Sequence, residues 1–291
     1  MKQIITNVYT EDQFSVPPNY RGCNPSFVTT SEGIVLIDTP LMPTDALKWR
    51  NEINTRGEVR YIINTDHHLD HTTGNFFFPR TVIAHEKTRE YFILPAGQKT
   101  VKPGQGTMER ICGWVEKYDP EGLALVGKNY QPNAPTLTFS ERCSLHVGKH
   151  TFELIHLPGH TESNIGIYLL PEKVFFSGDT VASKASPSLA FCFPLDWVES
   201  LKKIEALDID YIVPGHGEVC GREEALRFRL FLQQCIGMIT DAIKKGMTVD
   251  EAADKLSFED LYPEEGAGFA VHPGPEQQRR NVFRLYEMLS K

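Results

Sequence analysis

The feature that most constrains this chain is the stretch Asn64-Thr65-Asp66-His67-His68-Leu69-Asp70-His71-Thr72-Thr73-Gly74-Asn75, which places three of the ten histidines and two aspartates within six residues. It directly follows Val59-Arg60-Tyr61-Ile62-Ile63, a β-branched and aromatic run that reads as a buried strand, and it closes in a Gly74-Asn75 turn. The donors therefore sit on a loop at the C-terminal end of a strand. Imidazole and carboxylate are ligands that borderline divalent metals accept, and a tight loop can aim several at one point where a straight strand cannot. The plain alternative is a polar surface loop rich in histidine, but exposed loops seldom concentrate imidazole this way.

The same arrangement recurs along the chain. Residues 3–9 and 26–37 read as strands, the second stopping at Asp38. A helix is expected from Pro43 to Asn54, with Gly57 beyond its end, then the strand 59–63 and a short strand Thr81–His85. Strand, helix, strand, loop, strand is an α/β pattern. Between about 86 and 135 the composition changes: Lys87–Leu94 and Met108–Lys117 suit short helices, separated by a long loop over 95–106. This segment reads as an insertion serving as a lid or substrate wall, or equally as a decoration or oligomer contact. Strands resume at Leu137–Phe139, Cys143–Val147 and Thr151–His156, the last leading into Pro158-Gly159-His160-Thr161. Ile165–Leu170 follows, then Val174–Phe176 leading into Ser177-Gly178-Asp179; a helix at Asp196–Leu207 precedes Tyr211-Ile212-Val213 and the loop Pro214-Gly215-His216-Gly217. The rest, about 222–245, 249–256 and 276–289, is helical by periodicity. The cluster at 66–71, His160, Asp179 and His216 thus stand at four strand ends. In the last three, a preceding glycine lets the backbone turn sharply so that the next side chain points inward.

A chain of 291 residues, 41% hydrophobic and 23% charged, suits one large α/β domain. We read residues 1–291 as one domain, with the insertion at about 86–135 and a helical C-terminal extension at about 221–291 that is a candidate contact for homo-oligomer formation. The net charge is -8 and no Lys/Arg run exceeds two residues, which disfavours nucleic-acid binding. No window approaches 18 apolar residues, so no membrane span is expected; the N-terminus carries no secretory pattern, and the six cysteines form no C-x-x-C pair. Cytoplasmic residence with free thiols is the expectation.

In combination, His68-Leu69-Asp70-His71, Pro158-Gly159-His160-Thr161, Ser177-Gly178-Asp179-Thr180 and Val213-Pro214-Gly215-His216-Gly217, following a strand that ends at Asp38, make the chain resemble the metallo-β-lactamase superfamily of metal-dependent hydrolases over roughly residues 3–85 and 137–220. The resemblance implies an α/β four-layer αββα sandwich with a dinuclear metal centre at one edge between two sheets. It assigns His68 and His160 to a first metal, Asp70, His71 and His216 to a second, and Asp179 to both. One position departs from the family: a histidine usually begins the motif where this chain has Asp66. Asp66 as a ligand, His67 swinging in to replace it, or a weak first site with one metal bound are the three readings. We favour Asp66, because a carboxylate fits the same loop position while the adjacent residue should point elsewhere. His67 then has a packing or outer role. Two divalent ions are implied, zinc foremost, with iron or manganese at the Asp66 site because its donors are harder.

The resemblance also implies metal-assisted hydrolysis of a small-molecule substrate by a metal-bound hydroxide, with Asp70 orienting the nucleophile and shuttling a proton to the leaving group. Asp38 is expected to brace the ligand loop, or else to be an ordinary strand-end carboxylate. Missing basic clusters, no secretory pattern and no His-x-Glu-x-Asp motif leave small ester, lactone or thioester hydrolysis as the leading reading. The alternatives are a β-lactam or phosphodiester hydrolase, an iron-dependent oxidative enzyme, and a non-catalytic metal-stabilised scaffold. Tyr20, Lys184, Phe191 and Phe193 are the candidate substrate contacts. Lys184 suits an anionic group or plain solvation, and the two phenylalanines suit a pocket or core packing.

Overall fold

The computed structural model describes residues 1–291 apart from 13, 17–19, 94–112, 127–132, 185–187, 259–260 and 262–273; of 15, 16, 20 and 21 it describes the backbone alone. Its core follows from the two-residue period of the strands. In β6 (Gly33–Ile37), Ile34 and Leu36 point to one face while Val35 and Ile37 point to the other, and all four are buried. Both faces of this strand must therefore be covered. Leu36 packs in a cluster with Phe27, Ile62, Val82 and the α1 residues Ala46, Trp49 and Ile53 (α1, Pro43–Asn54). Val35 and Ile37 join Ile63 and Ile83 against Phe152, Leu154, Ile167 and Phe176 of a second sheet.

That second sheet is also covered outside. Phe175 and Ile212 meet Trp197, Leu201 and Ile204 of α6 (Pro194–Glu205), Phe228, Leu232 and Ile239 of α7 (Glu223–Lys244) and Val282 and Leu285 of α9 (Pro275–Leu289). Helix, sheet, sheet, helix is the expected αββα sandwich. Among the described residues one sheet has seven strands, in the order β1 (Lys2–Ile5), β2 (Val8–Thr10), β5 (Ser26–Thr30), β6, β7 (Val59–Ile63), β8 (Thr81–His85) and β9 (Leu137–Phe139), and the other five, in the order β10 (Arg142–Val147), β11 (His150–His156), β12 (Ile165–Leu170), β13 (Val174–Ser183) and β14 (Tyr211–Gly217); β3 (Ser15–Val16) and β4 (Tyr20–Arg21) form a separate ribbon. The strands that position the site are β6, β7 (Val59–Ile63), β11 (His150–His156), β13 (Val174–Ser183) and β14 (Tyr211–Gly217). The pairs β6–β7 and β13–β14 run parallel, so their C-terminal ends open on the same side of each sheet.

Several expected boundaries differ. The runs 3–9 and 26–37 are each two antiparallel strands: β1 (Lys2–Ile5) with β2 (Val8–Thr10), and β5 (Ser26–Thr30) with β6. The turns lie at Thr6–Asn7 and Ser31–Glu32, with left-handed backbone at Asn7 (φ 72°) and a positive φ of 111° at Gly33, which opens β6. Asp179 lies within β13 and Pro214–Gly217 within β14, because parallel pairing resumes at Ala182 and His216 after register shifts. Those irregularities release donors from the middle of a sheet without ending the strands. The expected loop 95–106 lies outside the described residues, as do residues 108–112 of the expected helix 108–117; residues 113–118 are helical. Helix α5 (Pro120–Val126) packs near α1, where the Asp119 carboxylate accepts the Thr44 amide at 2.9 Å, so this part of the segment adds to the core. No described helix is long and apolar enough to cross a membrane.

Candidate metal centre

Burial of β6 and β7 brings Asp38 beside the loop that begins at Asn64. The Asp38 carboxylate accepts the Thr65 amide at 2.8 Å and the Thr65 hydroxyl at 2.6 Å, and it lies 2.8 Å from His71 Nδ1. Asp38 itself has φ 55°, a conformation costly for a residue with a Cβ and here surrounded by bonds that hold it. A proton on Nδ1 shared with Asp38 leaves the Nε2 lone pair of His71 pointing inward, the tautomer a metal ligand requires. The short helix α2 (Leu69–Thr72) carries Asp70 and His71 on successive positions of its single turn.

The inward atoms form two adjoining sets. Asp66, His68, His160 and Asp179 offer one set of ligand atoms mutually within 4.8 Å, and Asp70, His71 and His216 another. Asp179 faces both: its Oδ2 is 3.3 Å from His160 Nε2, while its Oδ1 is 3.3 Å from His216 Nε2 and 3.4 Å from His71 Nε2. His216 Nε2 is also 3.1 Å from Asp70 Oδ2. Asp66 Oδ2, His71 Nε2 and Asp179 Oδ1 are buried without a hydrogen-bond partner. Buried polar atoms normally find partners, so three orphans converging with other imidazole and carboxylate donors fit a bound cation. Every residue expected to ligate metal is in one of the two sets, Asp66 included.

The electrostatics of the donors point the same way. Burial opposes ionisation of Asp66, Asp70 and Asp179, yet the facing histidines outweigh it: Asp66 and Asp179 lie well below the carboxylate range and Asp70 falls to about 2. Burial likewise opposes the charged form of His216, but Asp179 and Asp70 push it up to about 9, and His71 is raised by Asp179 and Asp38. Burial lowers His160, with only partial opposition from Asp179. Ionised carboxylates thus hold positive charge among them, as protons where no metal is bound.

The glycines act differently from one another. Gly178 has φ 49°, in the left-handed region, and a Cβ there would sit 2.6 Å from Thr65. Gly215 and Gly159 have no positive φ; they permit close approach, since a Cβ on Gly215 would lie 2.1 Å from Asp179 Oδ1 and one on Gly159 2.5 Å from the Trp197 ring.

His67 turns away from both sets. Its Nδ1 is 2.8 Å from Ser163 Oγ, and its ring stacks on Tyr91 with centroids 3.5 Å apart. Burial, then His68, lowers it to about 3, keeping it neutral. Of the candidate substrate contacts, Lys184 pairs with Glu218 at 3.2 Å on the surface. Phe191 is 52% exposed, with its ring 6.2 Å from that of His68, so it is not core. Phe193 is half-buried under the Arg284 guanidinium, and the side chain of Tyr20 lies outside the described residues. Sequence reading missed Asn24. Its side-chain amide donates to Pro214 O at 3.0 Å and Gly217 O at 2.8 Å, and its backbone amide donates to Gly215 O at 2.7 Å, clasping both sides of His216. It also missed Trp197, whose ring lies 5.5 Å from His160 and whose Nε1 donates to Thr180 O.

Residues 18–216 match the family model of the metallo-beta-lactamase superfamily. The chain belongs to that superfamily. Its relatives include a linear primary-alkylsulfatase of Pseudomonas sp. (strain ATCC 19151), 23% identical over 79% of this chain and 49% of the relative. The 2,4-dinitroanisole O-demethylase subunit alpha of Nocardioides sp. (strain JS1661) is 26% identical over 78% of this chain and 62% of its own length. A hydroxyacylglutathione hydrolase of Mesorhizobium japonicum is 26% identical over 57% of this chain and 49% of its own. The chain therefore spans about half to three-fifths of these relatives' lengths. A metallo-beta-lactamase family protein of Thermus thermophilus shares the fold, with a TM-score of 0.66 at 20% identity over 97% of this chain and 92% of that one.

Proposed function

We propose that the protein hydrolyses a small ester, lactone or thioester at a dinuclear centre, and the observation that carries this is the single Asp179 carboxylate facing both donor sets. Asp66, His68, His160 and Asp179 would hold one ion, and Asp70, His71, His216 and Asp179 the other. Bound there, divalent ions supply Lewis acidity and make water acidic enough to serve as a nucleophile near neutral pH. Asp38 fixes the His71 ring, and Asn24 fixes the backbone on either side of His216. Asp70 would take a proton from the attacking water and pass it to the leaving oxygen or sulfur. We assign zinc first, with iron or manganese at the set containing Asp66, where a carboxylate stands in place of the family's usual histidine.

A second reading is a sulfate-ester substrate, favoured by similarity to an alkylsulfatase over 79% of the chain. The free thiols of Cys23, Cys143, Cys192, Cys220 and Cys235 suit a cytoplasmic setting. The test is hydrolysis of chromogenic carboxylic ester, lactone, thioester, sulfate-ester and phosphodiester panels before chelation, after it, and after return of zinc, manganese or iron. Activity on the first three that is lost with metal and restored by it is expected. Activity surviving complete metal removal refutes the mechanism, and turnover confined to sulfate esters selects the second reading.

A further inference from the structure

The residues just after β13 carry an unusual contrast. Leu189 and Cys192 are fully buried, yet Phe191 between them is 52% exposed. A large apolar ring left in water costs free energy unless something covers it. Its position is not accidental slack, because α9 holds this turn through three side chains. Asn281 Oδ1 accepts the Leu189 amide at 2.9 Å, Gln277 donates to Ser188 Oγ at 3.0 Å, and Arg284 donates through Nε to Cys192 O at 2.9 Å. Asn281 and Gln277 are themselves buried, so these bonds are shielded from competing water. The ring so fixed stands 6.2 Å from that of His68, edge-on, at the more open side of the candidate metal centre.

Phe191 also lines an open surface groove of about 980 Å3 along α9, whose apolar lining includes Val249, Tyr286 and Phe283, the last with the Arg279 guanidinium 4.9 Å over its ring. The Tyr286 hydroxyl is already used, donating to Met247 O at 2.6 Å, so the ring offers only apolar surface. The rim carries arginines, but each is matched: Arg279 to Asp250 and Asp254, Arg280 to Glu276, and Arg284 to Glu287. A groove with an apolar floor and a charge-balanced rim favours a neutral apolar chain over an anionic head group. Phe191 lines this groove and also stands beside His68, so a ligand lying in the groove would reach the centre past this ring with its far end among the residues of α9.

We propose that this groove is the subsite for the apolar acyl or alkyl chain of the substrate, with Phe191 as the residue joining it to the metal centre. The proposal rests on the hydrolase reading for the reaction and names the kind of substrate that site would take: an ester or thioester with a straight chain of several methylenes. Full burial of a methylene is worth about fourfold in a binding constant, so this open groove should give about twofold to threefold.

Binding separates this proposal from the reaction. Straight-chain carboxylates from butanoate to octanoate are titrated calorimetrically into the zinc-loaded protein, its Phe191→Ala and Phe283→Ala variants, and a Leu125→Ala control at an exposed residue remote from the groove lining. Affinity is expected to rise about twofold to threefold per methylene in the wild type and the control. In the two phenylalanine variants the rise per methylene is expected to fall below about 1.5-fold, with thermal melting confirming that they fold. A flat series in the wild type, or an equal rise in wild type and Phe191→Ala, overturns the proposal. If the binding series behaves as expected while octanoyl esters and thioesters are not cleaved, the hydrolase substrate reading fails and the subsite stands.

Discussion

The two donor sets lie side by side, yet they are held in place by different physics. The set of Asp70, His71 and His216 is braced by hydrogen bonds from behind: Asp38 on the His71 ring, Asn64 and Thr39 on the His71 carbonyl, and Asn24 across the His216 backbone. In the set of Asp66, His68 and His160 the His68 backbone is bonded too, its amide to Asp66 Oδ1 at 2.8 Å and its carbonyl to the Thr72 hydroxyl at 2.9 Å, but the two rings meet only members of the site and aromatic neighbours, with Trp197 against His160 and exposed Phe191 near His68. Among the described residues no carboxylate outside that set braces His68 or His160 as Asp38 braces His71. The His68 side chain is 25% exposed, whereas that of His71 is fully buried. Hydrogen-bonded outer partners fix a ligand's direction and raise its basicity, and packing alone fixes only its place. The first set should therefore lose or exchange its metal more readily, and the substitution at Asp66 falls on this looser side.

The largest effect is expected at Asp179, the carboxylate both sets share. Asp179→Asn is expected to cut turnover by more than about a hundredfold, beyond the usual effect of an outer residue, and to lower bound metal at both positions. Elemental analysis showing two full equivalents in that variant would mean the sets do not depend on it. A smaller and one-sided effect is expected at Asp38. Asp38→Asn should weaken the tighter site by about 10-fold to 100-fold and so narrow the gap between two stepwise dissociation constants in a metal titration. Equal weakening at both steps would show that bracing is not what separates them. The smallest effect is at Asn24. Asn24→Ala leaves two backbone carbonyls beside His216 without these donors, and should cost about 1–3 kcal/mol of stability by denaturant unfolding.

How far this could be read from the chain depends on where each partner lies in sequence. The donors at Asp66, His68, Asp70 and His71 are visible because one loop holds them, and His160, Asp179 and His216 because each follows glycine after an apolar run. The sandwich is equally visible in strands such as β6, whose alternate residues must be buried on both sides. Asn24 leaves no such trace, since its side-chain partners are backbone carbonyls 190 and 193 residues away and any sequence there presents carbonyls. The hairpins within 3–9 and 26–37 were hidden by continuous apolar character, their turns marked only by Asn7 and Gly33. His67 shows the opposite error that histidine density invites. It is part of the cluster in sequence, yet its ring stacks on Tyr91 and contacts Ser163. Adjacent loop residues point different ways, so Asp66 and His68 can face inward together only if His67 faces out.

If Asp66 completes a first metal site distinct from the one braced by Asp38 and Asn24, loss of its carboxylate should empty that site alone. Metal stoichiometry of Asp66→Ala beside the wild type, by elemental analysis after equilibration with zinc, tests it most directly. Two equivalents in the wild type and close to one in the variant, retained by Asp70, His71 and His216, is the predicted result; two full equivalents in the variant would contradict it.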